Sequence, residues 1–170
     1  MGDLGFSFDV RTQSSEEIYP ADLPKEQVAV FLAEMKAKVL LPTLTADELC
    51  ITADTTVVMD GRLLEKAADE FEARDMLEAL SDRTHEVITG VCLQTTQSKQ
   101  SFQDSTKVHF RKLSGDEISY YIRTFAPFDK AGAYGIQEWI GMVGIEWIQG
   151  SYFNVMGLPT EKLFQQLKGY

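Results

Sequence analysis

Asp54 is a carboxylate in an otherwise apolar stretch, ITADTTVV at 51–58. The β-branched residues around it favour a strand, where a carboxylate is costly to desolvate unless another group pairs with it or a reaction uses it. It could bind a divalent metal or accept a proton from water. The alternative is an aspartate that caps a turn at the end of a strand. Thr55 beside it is either an ordinary strand residue or a hydroxyl that contacts a substrate.

Two lysines could bind phosphate. Lys66 follows Glu65 in the segment before a predicted helix, where the positive end of the helix would add to its charge. Lys36 lies next to the apolar stripe of the first predicted helix. The alternatives are a solvated Lys66 beside Glu65, and a Lys36 whose stem packs along the edge of the core.

An acidic pair, Glu16 and Glu17, precedes the first predicted helix. Carboxylate oxygens suit hard divalent cations, so the pair could complete a metal site with Asp54. Alone, it would be a solvated loop.

The segment 126–157 contains six of the 12 glycines and few charges. Glycine lets the backbone approach a ligand closely, which favours a binding loop; tight turns between strands are the alternative. Within it, DKAGAYGIQ (129–137) ends in Gln137, whose amide offers a donor and an acceptor to the edge of a base.

Hydrophobic periodicity predicts the elements that position these residues. Helices are expected at 24–41, at 68–80, from Ser114 with a capping box to Glu117, and at 159–168. Strands are expected at 49–59, 84–96 and 102–110. Strands separated by helices predict an α/β or α+β fold with a mixed sheet.

Composition limits the class of protein. The 170 residues suit one domain covering 1–170, and 44% are hydrophobic. The formal net charge of −10 argues against a nucleic-acid coat, and no apolar run reaches the roughly 20 residues of a membrane span. Cys50 and Cys92 read as separate buried thiols, and the first ten residues lack a signal-peptide pattern. We therefore expect a cytoplasmic protein.

Five motifs occur in a specific order: ITADTTVV (51–58), Glu65-Lys66, THEVITGV (84–91), DKAGAYGIQ (129–137) and GSYFNVMGLP (150–159). Together they resemble the Maf family of septum-formation-inhibitor-like nucleoside triphosphate pyrophosphatases. The resemblance implies an α/β fold of the inosine-triphosphate-pyrophosphatase kind. That fold has a mixed twisted sheet, flanking helices and a cleft between two lobes.

The resemblance also implies a reaction, the hydrolysis of a nucleoside triphosphate to its monophosphate and pyrophosphate with Mg²⁺, Mn²⁺ or Co²⁺. Asp54 occupies the position of the family's proton acceptor, and Lys36 and Lys66 match lysines that face the triphosphate. Glu17 matches an acidic residue near the phosphates that would hold the metal together with Asp54.

Thr55 and Gln137 match positions associated with the choice of base. The combination of ADT with GIQ is similar to the branch acting on dTTP and UTP, rather than the branch preferring 7-methyl-GTP. The implied partner is a nucleotide, with no nucleic acid and no membrane, and the family leads us to expect a homodimer.

Two features depart from the family pattern. The turn that usually reads G-K-P is Glu65-Lys66-Ala67 here. The motif S-x-S-P-R-R, which supplies a strand and a phosphate loop, does not occur in this sequence, so we expect the sheet to lack that strand and loop. This leaves two other hypotheses, a non-catalytic nucleotide binder or division regulator, and an acidic protein-interaction domain.

Overall fold

A five-stranded sheet lies at the centre of the fold. The computed structural model describes residues 1–13 and 17–170. The strands, in the spatial order β2-β1-β3-β4-β5, are β1 (Cys50–Met59), β2 (Arg62–Leu64), β3 (Thr84–Gln94), β4 (Lys99–Phe110) and β5 (Ile145–Gln149). The α-helices are α1 (Lys25–Leu40), α2 (Glu70–Leu80), α3 (Gly115–Phe125), α4 (Trp139–Gly144), α5 (Tyr152–Val155) and α6 (Thr160–Leu167). The predicted α/β class with flanking helices is confirmed.

The prediction of a mixed sheet is wrong for the described strands, because each of the four described pairings is antiparallel. The turn Asp60-Gly61 joins β1 to β2 with positive φ at both residues, the conformation that a two-residue hairpin requires. The crossover through α2 makes β2 and β3 run in the same direction. Since β1 lies between them, the crossover produces no parallel pair in the described sheet.

The predicted elements are present with small shifts at their ends. The capping box at α3 is confirmed, because Ser114 Oγ accepts from Glu117 N–H and the Glu117 carboxylate accepts from Ser114 N–H at 2.8 Å. The strand predicted at 102–110 begins earlier, at Lys99, because the turn is closed by Thr95 N–H donating to the Ser98 carbonyl at 2.9 Å. The glycine-rich segment 126–157 contains α4, β5 and α5 as well as loops.

One face of the sheet is covered by α1. Thr52 Oγ1 donates to the Ala33 carbonyl at 2.7 Å, and Cys92 of β3 packs against Ala33 and Ala37. A Cβ at Gly90 would lie inside 3.0 Å of the backbone of Ala29 and Val30. The helix therefore rests directly on β3 at a glycine.

The opposite face carries the larger core. Near one end of the strands, α2 and α3 and the segment that leads into α4 pack on the sheet. The largest fully buried side chains in this part of the core are Tyr121, Phe110, Leu77, Leu80, Ile118 and Ile140. Near the other end, Leu163 of α6 packs on Val91 and Leu93. In residues 1–13 and 17–170, none of the helices is long and apolar enough to span a bilayer.

The close approach at Gly90 predicts a stability effect. Gly90→Ala should lower the free energy of unfolding by about 1–3 kcal/mol, because the added methyl group overpacks the contact between α1 and β3. Urea denaturation measures this change. The control is Gly115→Ala at the first residue of α3, where nothing lies within 4 Å of an added Cβ. Equal effects of the two substitutions would contradict the packing argument.

Candidate active site

A cleft of about 400 Å³ lies beside the middle of β1. The structure brings together at this cleft all six residues given roles by the resemblance, namely Glu17, Lys36, Asp54, Thr55, Lys66 and Gln137. The rest of its wall comes from the strand residues Ala53, Val57 and Val87, from the loop 129–135 and from 155–157. Glu16, the other member of the predicted acidic pair, lies outside the described residues.

An ion pair between α1 and β1 occupies the centre of the cleft. Lys36 Nζ donates to Asp54 Oδ1, and the Asp54 side chain is 11% exposed. The contact between Thr52 and Ala33 sets this geometry. Asp54 lies two residues beyond Thr52 on the same face of β1, and Lys36 lies three residues beyond Ala33 on the same side of α1.

The environment changes the proton affinity of both partners. Burial raises the pKa of Asp54, and the opposing effect of Lys36 offsets only part of that rise. For Lys36, burial lowers the pKa, but Asp54 and Glu17 together reverse this and leave it raised. Asp54 is therefore a stronger base than an exposed aspartate, beside a lysine that stays protonated.

Glu17 connects the two lysines. Its Oε2 lies 2.8 Å from Lys66 Nζ and its Oε1 lies 3.4 Å from Lys36 Nζ. The hydrogen bond from Lys66 lowers the pKa of Glu17 despite partial burial. Two carboxylates and two ammonium groups thus alternate along one wall of the cleft.

The carboxylates of Glu17 and Asp54 are suitable ligands for a hard divalent cation. Among residues 1–13 and 17–170, however, no three His, Cys, Asp or Glu side chains form a group that could hold a metal by themselves. Mg²⁺ is commonly held by one or two carboxylates together with substrate phosphates. The pair therefore fits a cation that arrives with a phosphate ligand.

The turn that carries Lys66 is held by tertiary hydrogen bonds. Lys66 forms an antiparallel bridge with Ala131, and Gly132 N–H donates to the carbonyls of Leu64 and Glu65 at 3.1 and 3.2 Å. A Cβ at Gly132 would lie 3.2 Å from Val57, and its φ is +68°. These contacts fix the turn although Ala67 replaces the proline usual in the family.

The N-terminus of helix α2 is occupied by its own cap. Asp69 Oδ1 already accepts from the N–H groups of Phe71 and Glu72, both at 2.9 Å. The cation expected for phosphate on this side is thus the Lys66 ammonium, which is half-exposed.

The loop that carries Gln137 is tied to the core. Tyr121 of α3 accepts from Gly135 N–H at 3.1 Å and donates to the Glu138 carboxylate, so both sides of Gln137 are held. The Gln137 side chain itself is exposed at the cleft. Sequence reasoning did not identify Tyr121, because it lies in α3 and meets the loop only in the folded chain.

Buried His85 supports the same loop, with its Nε2 lying 2.7 Å from the Tyr134 hydroxyl. Burial lowers the pKa of His85 to about 4, so the imidazole is neutral near pH 7. It is a packing and hydrogen-bonding group behind the cleft wall.

The ion pair predicts a pH-dependent stability change. Lys36→Met should lower the free energy of unfolding at pH 8 by about 1–3 kcal/mol, because it leaves the buried Asp54 carboxylate without a partner. At pH 4 the loss should be smaller, because burial raises the Asp54 pKa and the folded chain protonates that group on acidification. Denaturation at both pH values tests this. Lys38→Met, on the exposed side of α1, is the control; a loss independent of pH would contradict the prediction.

Comparison with known proteins identifies the family. The model of a family described as "Maf-like protein" matches residues 1–170. A protein of Phocaeicola vulgatus named dTTP/UTP pyrophosphatase is 50% identical over 169 residues, which cover 99% of this chain and 88% of the relative. Proteins of the same name from Parabacteroides distasonis and Flavobacterium psychrophilum are each 46% identical, over 100% and 97% of this chain and 89% and 85% of their own lengths. The chain belongs to the Maf family.

Proposed function

We propose that this chain hydrolyses dTTP and UTP to the corresponding monophosphate and pyrophosphate. The observation that carries the proposal is the buried Asp54–Lys36 pair, with the raised Asp54 pKa, at the centre of a cleft large enough for a nucleotide. The names of the relatives supply the substrate class. We further propose that residues 1–170 act as one cytoplasmic domain.

The two lysines bind the triphosphate in this mechanism. Lys36 and Lys66 exchange their contacts with Asp54 and Glu17 for phosphate oxygens and neutralise the charge that develops as the leaving group departs. The exchange also frees the Asp54 carboxylate to contact water.

Asp54 acts as the general base. A water molecule donates a proton to the Asp54 carboxylate and its oxygen attacks the α-phosphorus. The bond from that phosphorus to the oxygen bridging the α- and β-phosphates breaks, and pyrophosphate leaves with the electron pair. The neighbouring Lys36 ammonium stabilises the new negative charge on the α-phosphate oxygens.

Glu17 and Asp54 would hold the divalent cation, Mg²⁺, Mn²⁺ or Co²⁺. When bound, it would neutralise phosphate charge and polarise the phosphorus–oxygen bonds. On the base side, Gln137 and Thr55 would contact the edge of the pyrimidine, whose alternating carbonyl and N–H groups complement an amide.

Substitution of Asp54 tests the proposal. Asp54→Asn should lower kcat for pyrophosphate release from dTTP by about 10²–10⁴-fold, because the amide cannot accept the proton. The rate of the unsubstituted protein should fall as pH drops through the Asp54 pKa, which burial places above its ordinary value. Asp54→Asn should lack this acidic limb. The assay is pyrophosphate release with Mg²⁺, Mn²⁺ or Co²⁺ across a pH series.

The matched control is Asp60→Asn, at the exposed turn after β1, where φ is +51° and asparagine is tolerated. It should retain the activity of the unsubstituted protein. An unchanged kcat for pyrophosphate release by Asp54→Asn would contradict the proposed role of Asp54 as general base. Binding of a non-hydrolysable dTTP analogue by calorimetry, without turnover of dTTP, would instead support a nucleotide-binding regulator.

A further inference from the structure

A chain of hydrogen bonds leads from the part-buried Thr55 hydroxyl at the cleft, through the Thr89 hydroxyl, to a backbone carbonyl inside the protein. Thr55 Oγ1 lies 2.8 Å from Thr89 Oγ1 on the neighbouring strand, and Thr89 Oγ1 donates to the backbone carbonyl of Asn154 at 2.8 Å. Thr89 and Asn154 are both fully buried. The chain therefore ends at a carbonyl group that solvent cannot reach.

Counting hydrogens fixes the direction of each bond. A carbonyl oxygen only accepts, and a threonine hydroxyl has one hydrogen to donate. The Thr89 hydrogen is committed to Asn154, so the Thr55 hydroxyl is the donor in the bond between the two threonines. Toward the cleft, Thr55 Oγ1 then presents lone pairs and acts as an acceptor.

The carbonyl at the end of the chain is held in place. Asn154 Nδ2 donates to the Val87 carbonyl and to Thr106 Oγ1, both at 3.0 Å. Ser151 N–H also donates to Thr106 Oγ1 at 3.0 Å. These bonds connect α5 to β3 and β4, so the position of the Asn154 backbone is tied to the sheet.

Gly157 leaves room for a ligand beside the Thr55 hydroxyl. It lines the cleft, and a Cβ there would lie 3.5 Å from Thr55 Oγ1. Its φ of +108° lies in the region that side chains disfavour. The acceptor on Thr55 therefore faces a space that remains open to a base.

We propose that Thr89 and the Asn154 carbonyl set base specificity by fixing Thr55 as an acceptor. This inference rests on the proposed function. Thymine and uracil share an N3–H donor between two carbonyls, whereas N3 of cytosine carries a lone pair. A fixed acceptor at Thr55 contacts the N3–H group of thymine or uracil favourably and repels the lone pair of cytosine in the same position.

Gln137 cannot supply this discrimination alone. A glutamine amide can rotate by 180° and exchange its donor with its acceptor, so an exposed Gln137 can pair with the edge of either pyrimidine. The Thr55 hydroxyl cannot become a donor toward the cleft while its one hydrogen is donated to Thr89 Oγ1. Gln137 contributes hydrogen bonds to the base. Thr55, held by Thr89, determines whether the base must present a donor or an acceptor at that position.

Thr89→Val tests the inference, because valine has a similar shape and lacks the hydroxyl. The Thr55 hydrogen is then free to turn toward the cleft, and Thr55 can donate to N3 of cytosine. The ratio of kcat/KM for dTTP to that for dCTP should fall by about tenfold or more, with the change carried mainly by KM. Pyrophosphate release from dTTP, UTP and dCTP gives the ratio.

Two controls and a second variant accompany this test. Thr89→Ser keeps a hydroxyl and should keep the ratio. Thr56→Val is the matched control in β1, where the buried Thr56 hydroxyl has no hydrogen-bond partner among the described residues. If Thr89→Val does not fold, as judged by circular dichroism, Thr89→Ala removes the same hydroxyl with less bulk and gives the same measurement.

A double-mutant cycle with Thr55→Val tests whether Thr89 changes the dTTP to dCTP ratio through Thr55. With Thr55 already substituted, Thr89→Val should not change the ratio further. An unchanged ratio in Thr89→Val alone, or an equal change with and without Thr55, would overturn the inference while leaving the proposed hydrolysis intact. Failure of the unsubstituted protein to release pyrophosphate from dTTP or UTP would overturn the proposed function itself.

Discussion

The cost of burying one carboxylate inside an apolar sheet is the constraint on which this site depends. Lys36 reaches Asp54 from α1 and favours its ionised form, and Lys36 reaches it because α1 lies directly on β3 at Gly90. The position of Asp54, the position of Lys36 and the packing of α1 therefore depend on one another. Glu17 extends the same arrangement to the second lysine.

The two sides of the cleft present different kinds of groups, charged side chains on one side and neutral hydrogen-bonding groups on the other. On the phosphate side, charges alternate in sign from the half-exposed Lys66 to the largely buried Asp54, so a charged ligand can replace the contacts that the two lysines make with the carboxylates. On the base side, neutral hydroxyl and carbonyl groups are buried behind Thr55, where an unmade hydrogen bond is costly. Charge therefore suits the binding of any triphosphate, whereas the buried neutral chain suits discrimination between bases.

Much of this arrangement could be predicted from local sequence. The capping box at Ser114 and the carboxylate in an apolar strand are encoded by residues close together in the chain, and both predictions identified features that the structure shows. The contacts of Glu17 with two lysines, and of Tyr121 with the loop around Gln137, join residues far apart in sequence. Hydrophobic periodicity carries no information about such pairs. Strand direction was likewise missed, because it depends on which strands become neighbours.

The bridge between Lys66 and Ala131 has a consequence for how a ligand leaves the cleft. It joins the turn that carries Lys66 to the loop that carries Gln137, so in the proposed mode of binding both ends of a nucleotide would be held by one connected piece of backbone. Each contact then forms at the high effective concentration that the other creates. Cleavage between the α- and β-phosphates divides a bivalent ligand into two pieces, and each piece loses that mutual support. The proposed reaction would thereby weaken the binding of both of its products.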